Sequence, residues 1–342
     1  MKNGKTIQEL AAEIQRQQDN KRDFLIPANK VTPFINDNHL ELGFKITGEE
    51  NEVPFTAPLT KDGHIQLGQF CDIPKKYYDT LLNHPELLKT NVAHWMERSE
   101  EKKLIRTMDG NVRAVLSDKY RRLDNFDLAQ NVLPMLLEAQ ASIESCEITE
   151  RKIYIKAITH KVQAEVVKGD IVSAGIIISN SETGYGSLSI KPLIYRLVCS
   201  NGMVADMYAH RKYHAGKGDE MNQIEFSNDT LNAVDKAYWL KVRDLVSASL
   251  SQVTFAEIVA KMTASAEIKI QQPDKAIELV SKKFNFCETE SKDMLKFLIE
   301  GGDLTNWGLA NSVTRMAQDV PSYDRSTELE SIGFQIMNQN WN

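Results

Sequence analysis

The chain has 342 residues, 42% of them hydrophobic and 26% charged, with 41 Lys and Arg against 47 Asp and Glu for a net charge of −6. That make-up fits two globular domains, or one large domain with an appendage, and excludes collagenous and low-complexity chains. The acidic balance excludes global electrostatic steering toward nucleic acid.

No apolar run reaches the ~18–20 residues that a bilayer span needs, so no membrane association is expected. MKNGKTIQELAAEIQRQQ lacks the apolar segment and small-residue cleavage site of a secretory signal. Cys71, Cys146, Cys199 and Cys287 are far apart, with no CxxC. A reduced, cytoplasmic protein with unpaired thiols is therefore expected.

In chain order, Ile7, Leu10, Ala11 and Ile14 predict a short amphipathic helix that gives way to the polar run 15–22. Residues 23–62 carry four prolines and the alternating stretch His39 to Phe44, which reads as short strands and loops. Residues 1–62 are thus an N-terminal helix and irregular arm. Ile65, Leu67 and Phe70, a turn at Cys71 to Pro74, then Tyr77, Tyr78, Leu81 and Leu82 predict two helices about a short turn. This is a helical hairpin, or a helix-turn-helix that reads DNA.

Asp109-Gly110 predicts a hairpin turn and Val112 to Leu116 a strand, with Asp124-Asn125 capping a helix through Leu136. Strands follow at 143–148, 153–157, 163–167, 171–179, 187–190 and 193–199, and Asn201-Gly202 reads as a tight turn. Consecutive strands of this kind pair antiparallel, so residues 63–226 are an α+β core with a mainly antiparallel central sheet packed with helices. Residues 227–342 read as all-helical. Asn228 starts a helix, Pro273 opens another, Thr305 or Asp303 caps a helix over 306–318, and Thr254 to Glu257 and Thr327 to Glu330 read as capping boxes.

The sequence has no phosphate-binding GxxxxGK[ST] loop, no GxGxxG unit, no GxSxG and no HExxH. His210 and His214 have the i, i+4 spacing of a metal pair, but Arg211 and Lys212 lie between them and no further ligand is near, so no metal and no cofactor are expected. Basic residues concentrate in two windows. One holds Arg106, Arg113, Lys119, Arg121 and Arg122, and the other holds Lys191, Arg196, Arg211, Lys212 and Lys217. The run Lys119-Tyr120-Arg121-Arg122 suits phosphate pairing beside base stacking, or alternatively a core tyrosine flanked by arginines paired to Asp118 and Asp124. Asn180 to Gly186 sets Tyr185 between two glycines, as a ligand contact or as a tight hairpin. Trp307, Asn311, Thr314 and Arg315 read as an internal polar network that closes the helical part on the sheet.

The runs IRTMDGNVRAVLSDKYRRLDN, ISNSETGYGSLSIKPLIYRLVCSNGMV and NWGLANSVTRMAQDVPSYDRSTELESIG together resemble domain-of-unknown-function family 932, over residues ~65–335. That resemblance implies a protein of a bacteriophage or plasmid, acting in a bacterial cytoplasm, and brings no catalytic residues with it. The strand-rich centre with its helical flank is also similar, in topology only, to phage single-strand annealing proteins. The reading that follows is a non-enzymatic binder of single-stranded DNA in replication or recombination. Its candidate contacts are Arg113, Lys119, Tyr120, Arg121, Arg122, Tyr185, Arg196, Arg211, Lys212 and Lys217. The alternative is an interaction protein that binds a host protein, for example a defence inhibitor. Homo-oligomerisation is left open.

Overall fold

A computed structural model describes residues 1–47, 52–206, 210–212 and 228–341. Helix α1 (Ile7–Asn20) starts at Thr6, whose side chain and that of Glu9 form a capping box. It buries Leu10 and Ile14 and continues through the polar stretch expected to end it. Arg16 binds Glu13 on the same helix and Asp109 across the molecule, at 2.8 and 2.7 Å, which supports those last turns.

Two small antiparallel sheets follow. Strands β2 (Thr32–Asn36), β3 (His39–Thr47) and β4 (Glu52–Pro58) form one; β1 (Arg22–Pro27), β5 (Lys102–Met108) and β6 (Asn111–Ser117) form the other, in the order β1-β5-β6. Asp109 and Gly110, with φ of 51° and 78°, turn β5 into β6 as their sequence predicts. Helices α2 (Lys61–Phe70), α3 (Lys75–Leu81) and α4 (Pro85–Met96) pack on these strands around Leu42, Phe44, Leu67, Tyr78, Leu88 and Val92.

After α5 (Asn125–Glu138) comes the main antiparallel sheet, in the order β11-β10-β9-β8-β7. Its strands are β7 (Ser142–Ile148), β8 (Ile153–Glu165), β9 (Ile171–Asn180), β10 (Leu188–Arg196), β11 (Asn201–Val204) and β12 (His210–Lys212), the last also paired with β10. The expected α+β class holds, and the details differ in three places. The segments at 153–157 and 163–167 belong to one strand, β8, with an irregularity between Thr159 and Gln163. The segments at 187–190 and 193–199 are likewise one strand, β10, which carries Pro192 across from Ile176. Asn201 and Gly202 begin β11; the turn falls just before them, with Ser200 at φ 53°.

The C-terminal part is helical: α6 (Asn228–Ser249), α7 (Gln252–Glu267), α8 (Pro273–Phe284), α9 (Glu288–Gly301), α10 (Asn306–Met316) and α11 (Tyr323–Met337). Ser251, not Thr254, caps α7, and Ser322, not Thr327, caps α11. Each is a hydroxyl whose residue keeps an extended backbone just ahead of the first turn, which the later residue, already inside the helix, cannot do. α10 stops at Met316, short of the predicted Gln318.

Strand alternation divides the sheet into two faces. Ile153, Ile155, Ala157, Ile176, Ile178, Leu188 and Ile190 pack with α1, α5 and α6. Farther along the same face, Val172, Ala174 and Ile194 join the core of the C-terminal helices with Phe255, Met262 and Trp307. The four cysteines are free thiols, with Cys71 and Cys146 buried. Among the described residues no helix is long and apolar enough to cross a membrane.

Candidate functional site

The opposite face carries Tyr154, Lys156, Ile177, Ser179, Ser189 and Lys191. Part of it is covered by α11. Lys156 Nζ lies 2.6 Å from Glu330 Oε2, with both side chains fully buried, and the Tyr323 and Tyr154 rings meet at 5.4 Å. The rest stays open as a cleft of about 1180 Å³. Ile177, Ser179, Ser189 and Lys191 of the sheet line it, as do Ser322, Asp324, Arg325 and Glu328 of α11. Lys119 and Tyr120 after β6, Arg151 and Lys152 between β7 and β8, and Gly184 to Ser187 also line it. Cations outnumber anions: Lys119, Arg151, Lys152, Lys191 and Arg325 stand against Asp324 and Glu328.

Most of these cations are held by carboxylates. Lys191 Nζ lies 2.5 Å from Asp206, and Arg325 lies 2.8 Å from both Glu290 and Glu328. Arg151 binds Asp62 of α2 through Nε at 3.0 Å and Nη2 at 2.6 Å. Its guanidinium also lies 4.3 Å from the centroid of the Tyr185 ring, and the Tyr185 hydroxyl donates to the same Asp62 carboxylate at 2.8 Å. Burial pushes the Asp62 carboxyl up, but the hydrogen bonds from Arg151 and Tyr185 outweigh it and hold the pKa below the usual aspartate value. Burial, then the adjoining Asp62 carboxylate, pushes the Tyr185 phenol up to about 12.

Tyr185 is placed by the turn at 181–186, which a buried charged network fixes from behind. Arg106, fully buried, binds Asp23 through Nε and Nη2, Asp124 through Nη2 at 2.7 Å, and the Glu182 carbonyl through Nη1 at 2.9 Å. The Glu182 carboxylate pairs with Arg113 and accepts from the Asn125 backbone at 2.6 Å. Gln66 donates to the Thr183 carbonyl at 2.6 Å. Gly184 has φ +82°, a backbone that favours glycine, and a Cβ there would lie 2.7 Å from Leu116 Cδ2, so the leucine side chain would have to shift. With its carboxylate taken by Arg106 and Lys21, Asp124 stands at the N-cap of α5 but makes no side-chain cap bond.

The candidates read from sequence are therefore dispersed. Lys119, Tyr120 and Tyr185 line the cleft; Lys119 is exposed, and the Tyr120 hydroxyl donates to the Ser181 carbonyl at 2.8 Å. Arg113 is instead drawn into the Glu182 pair beneath the turn. Arg121 sits 5.9 Å from the Tyr238 ring, and Arg122, half exposed, lies 3.6 Å from Asp23; neither lines the cleft. Arg196 is elsewhere, bound to Asp170 at 2.6 Å beside Trp307. Arg211 and Lys212 pair through their backbones with Ser189 and Leu188, next to the cleft floor, and their side chains lie outside the described residues, as does the whole of Lys217. His210 is in β12, while His214 lies outside the described residues. Trp307 donates to Asp170 at 2.9 Å and Asn201 binds Thr314 at 3.2 Å, an internal network closing the helical part on the sheet.

Sequence reasoning missed Arg151, Lys152 and Asp62. The first two stand in the charged turn Glu150-Arg151-Lys152 between alternating strands, a signal that was available. Asp62 is 89 residues from Arg151, and only the fold joins them.

Residues 114–331, more than half of the chain, match the model of the family described as Domain of unknown function (DUF932), and the chain belongs to that family. The match spans β7–β11, the cleft lining and most of α11, while Asp62, Gln66 and Arg106 lie before it. No curated protein and no solved structure matches the chain.

Proposed function

We propose that this protein binds single-stranded DNA in the cleft, without catalysing a reaction, in replication or recombination of a phage or plasmid that encodes it. The observation that carries this is the lining. Five cationic residues and the rings of Tyr120 and Tyr185 share one open cleft of about 1180 Å³ on an otherwise acidic chain. That volume is above the ~300–1,000 Å³ of single small-molecule sites and suits several linked nucleotides. A groove that follows phosphates and offers aromatic and guanidinium planes is how sequence-tolerant single-strand binders work.

The test is titration of labelled single-stranded DNA, duplex DNA and RNA at two salt concentrations. Single-strand binding should weaken with salt, and each phosphate contact removed should flatten the log–log slope by ~0.7. Lys119→Ala with Arg151→Ala should lower affinity and slope more than Arg121→Ala with Arg122→Ala. The reverse order moves the site to the Arg121–Arg122 surface, and no binding at low salt overturns the proposal.

A second reading, capture of a host protein, draws support from Tyr77, Leu82, Leu87 and Trp95, all exposed on or beside α3 and α4. Exposed tryptophan and tyrosine are the residue types that dominate protein–protein contacts. Loss of partner capture in Trp95→Ala, with DNA titrations flat, would favour it.

A further inference from the structure

Arg325, the other arginine in the cleft lining, has all three guanidinium nitrogens taken by Glu290 and Glu328, and Arg151 is held differently. Asp62 is 4% exposed and receives donors from both Arg151 and Tyr185, so one buried carboxylate fixes two side chains at once. The guanidinium is stacked on the Tyr185 ring at 4.3 Å, yet 43% of the Arg151 side chain stays exposed. Asp62 occupies Nε and Nη2, and no described residue engages Nη1. The result is a flat, cationic, preorganised surface in the cleft with donors left over.

Flat cationic surfaces suit two parts of one ligand. Arginine planes and aromatic rings stack on unpaired bases, and guanidinium N–H groups bind phosphate. A duplex hides its base faces inside the stack and a bare polyanion has none. We infer that Asp62, Arg151 and Tyr185 form a base-stacking platform, so the cleft takes strands with accessible bases and not duplexes or featureless polyanions. This rests on the nucleic-acid reading above and adds the mode of recognition. It also places helix α2 in the site: Asp62 acts as a positioning residue and lies outside the segment that matches the family.

The experiment compares a short oligothymidylate with an abasic strand of equal length and charge, each titrated into the full chain at low salt. The oligothymidylate should bind ~10-fold more tightly or better, the size expected for one stacked base. Tyr185→Leu should bring the two strands to within about two-fold, and Tyr185→Phe, which keeps the ring and loses the latch, should fall between. Asp62→Ala removes an anion from beside a basic cleft, so purely electrostatic binding must tighten for both strands. The platform requires instead that preference for the base-bearing strand be lost.

Lys292→Ala, at an exposed position of α9, serves as the unchanged control. Should Asp62→Ala fail to fold, the two Tyr185 variants decide the matter. Equal affinity of the wild-type chain for both strands overturns the platform and leaves the nucleic-acid reading standing. Absence of binding to either strand overturns both.

Discussion

Arg106 and Arg151 both grip a carboxylate with two nitrogens, and both touch the turn at 181–186, yet they are opposite kinds of residue. Arg106 is fully buried and all three of its guanidinium nitrogens are satisfied, by Asp23, Asp124 and the Glu182 carbonyl. Arg151 is 43% exposed and leaves Nη1 unused by any described residue. A saturated, dehydrated guanidinium can only hold its neighbours in place, whereas a half-exposed one stacked on a ring remains able to meet a ligand. The contrast is one of support against exposed surface around a single turn. Arg106 and Arg113 build the support and Arg151 presents the surface.

The largest way to break this contrast is at the support. Arg106→Leu takes the shared guanidinium from the largely enclosed Asp23 and Asp124 and from the Glu182 carbonyl, with Lys21 still on Asp124, and urea unfolding should show a loss of ~3 kcal/mol. A loss under 1 kcal/mol would mean that water reaches this network and that it is no anchor.

Acid should next separate the two centres. His64, on α2 two residues after Asp62, has Nδ1 3.0 Å from the Tyr78 hydroxyl, and burial lowers its pKa from 6.5 to about 4. A depressed histidine contributes stability that is full above the unfolded value and is lost as pH falls through the folded one. Stability should therefore decline between about pH 6.5 and 4, by about 3 kcal/mol, and His64→Gln should remove that slope. The Asp124 carboxyl is raised by burial but held lower still by Arg106 and Lys21, so its contribution persists to below the usual aspartate range. Denaturation midpoints that stay level from pH 7 to pH 5 would contradict the assignment to His64.

Between the centres, Gly184→Ala forces a left-handed residue and a clash with Leu116, and should cost ~1–2 kcal/mol. Thermal melting checks this, and a variant as stable as wild type would show that the turn yields. The smallest expected effect is that of Arg151→Ala on stability, about 1 kcal/mol, because the half-exposed guanidinium is screened by solvent, water can take its place, and the buried Asp62 keeps the Tyr185 hydroxyl. A larger loss would make Arg151 a second support.

Much of the fold was legible because its signals are local. The alternation along β7–β10, the Asp109-Gly110 turn and Pro273 at the start of α8 each act within a few residues. What was misread also has local causes. Asn201-Gly202 has turn chemistry, but Ser200 takes the left-handed conformation and frees the pair to start a strand. Thr327 to Glu330 has the spacing of a capping box, but Glu330 is consumed by Lys156. In the cleft, the Lys119-Tyr120-Arg121-Arg122 run announced a site, yet the chain turns after β6 so that only its first two residues reach it. Arg151 was passed over because a charged hairpin turn looks like ordinary solvated surface until Asp62 and Tyr185 are brought beside it.

The buried Lys156–Glu330 pair gives the cleft a fixed width. Helix α11 lines one part of the cleft with Asp324, Arg325 and Glu328 and is keyed to the sheet by Glu330 of the same helix. Sliding α11 by one turn, ~5.4 Å, would strand two opposite charges in an apolar interior, which no ligand contact at the cleft surface could offset. The slot therefore works as a gauge: it admits what fits its standing dimensions and does not stretch around something thicker.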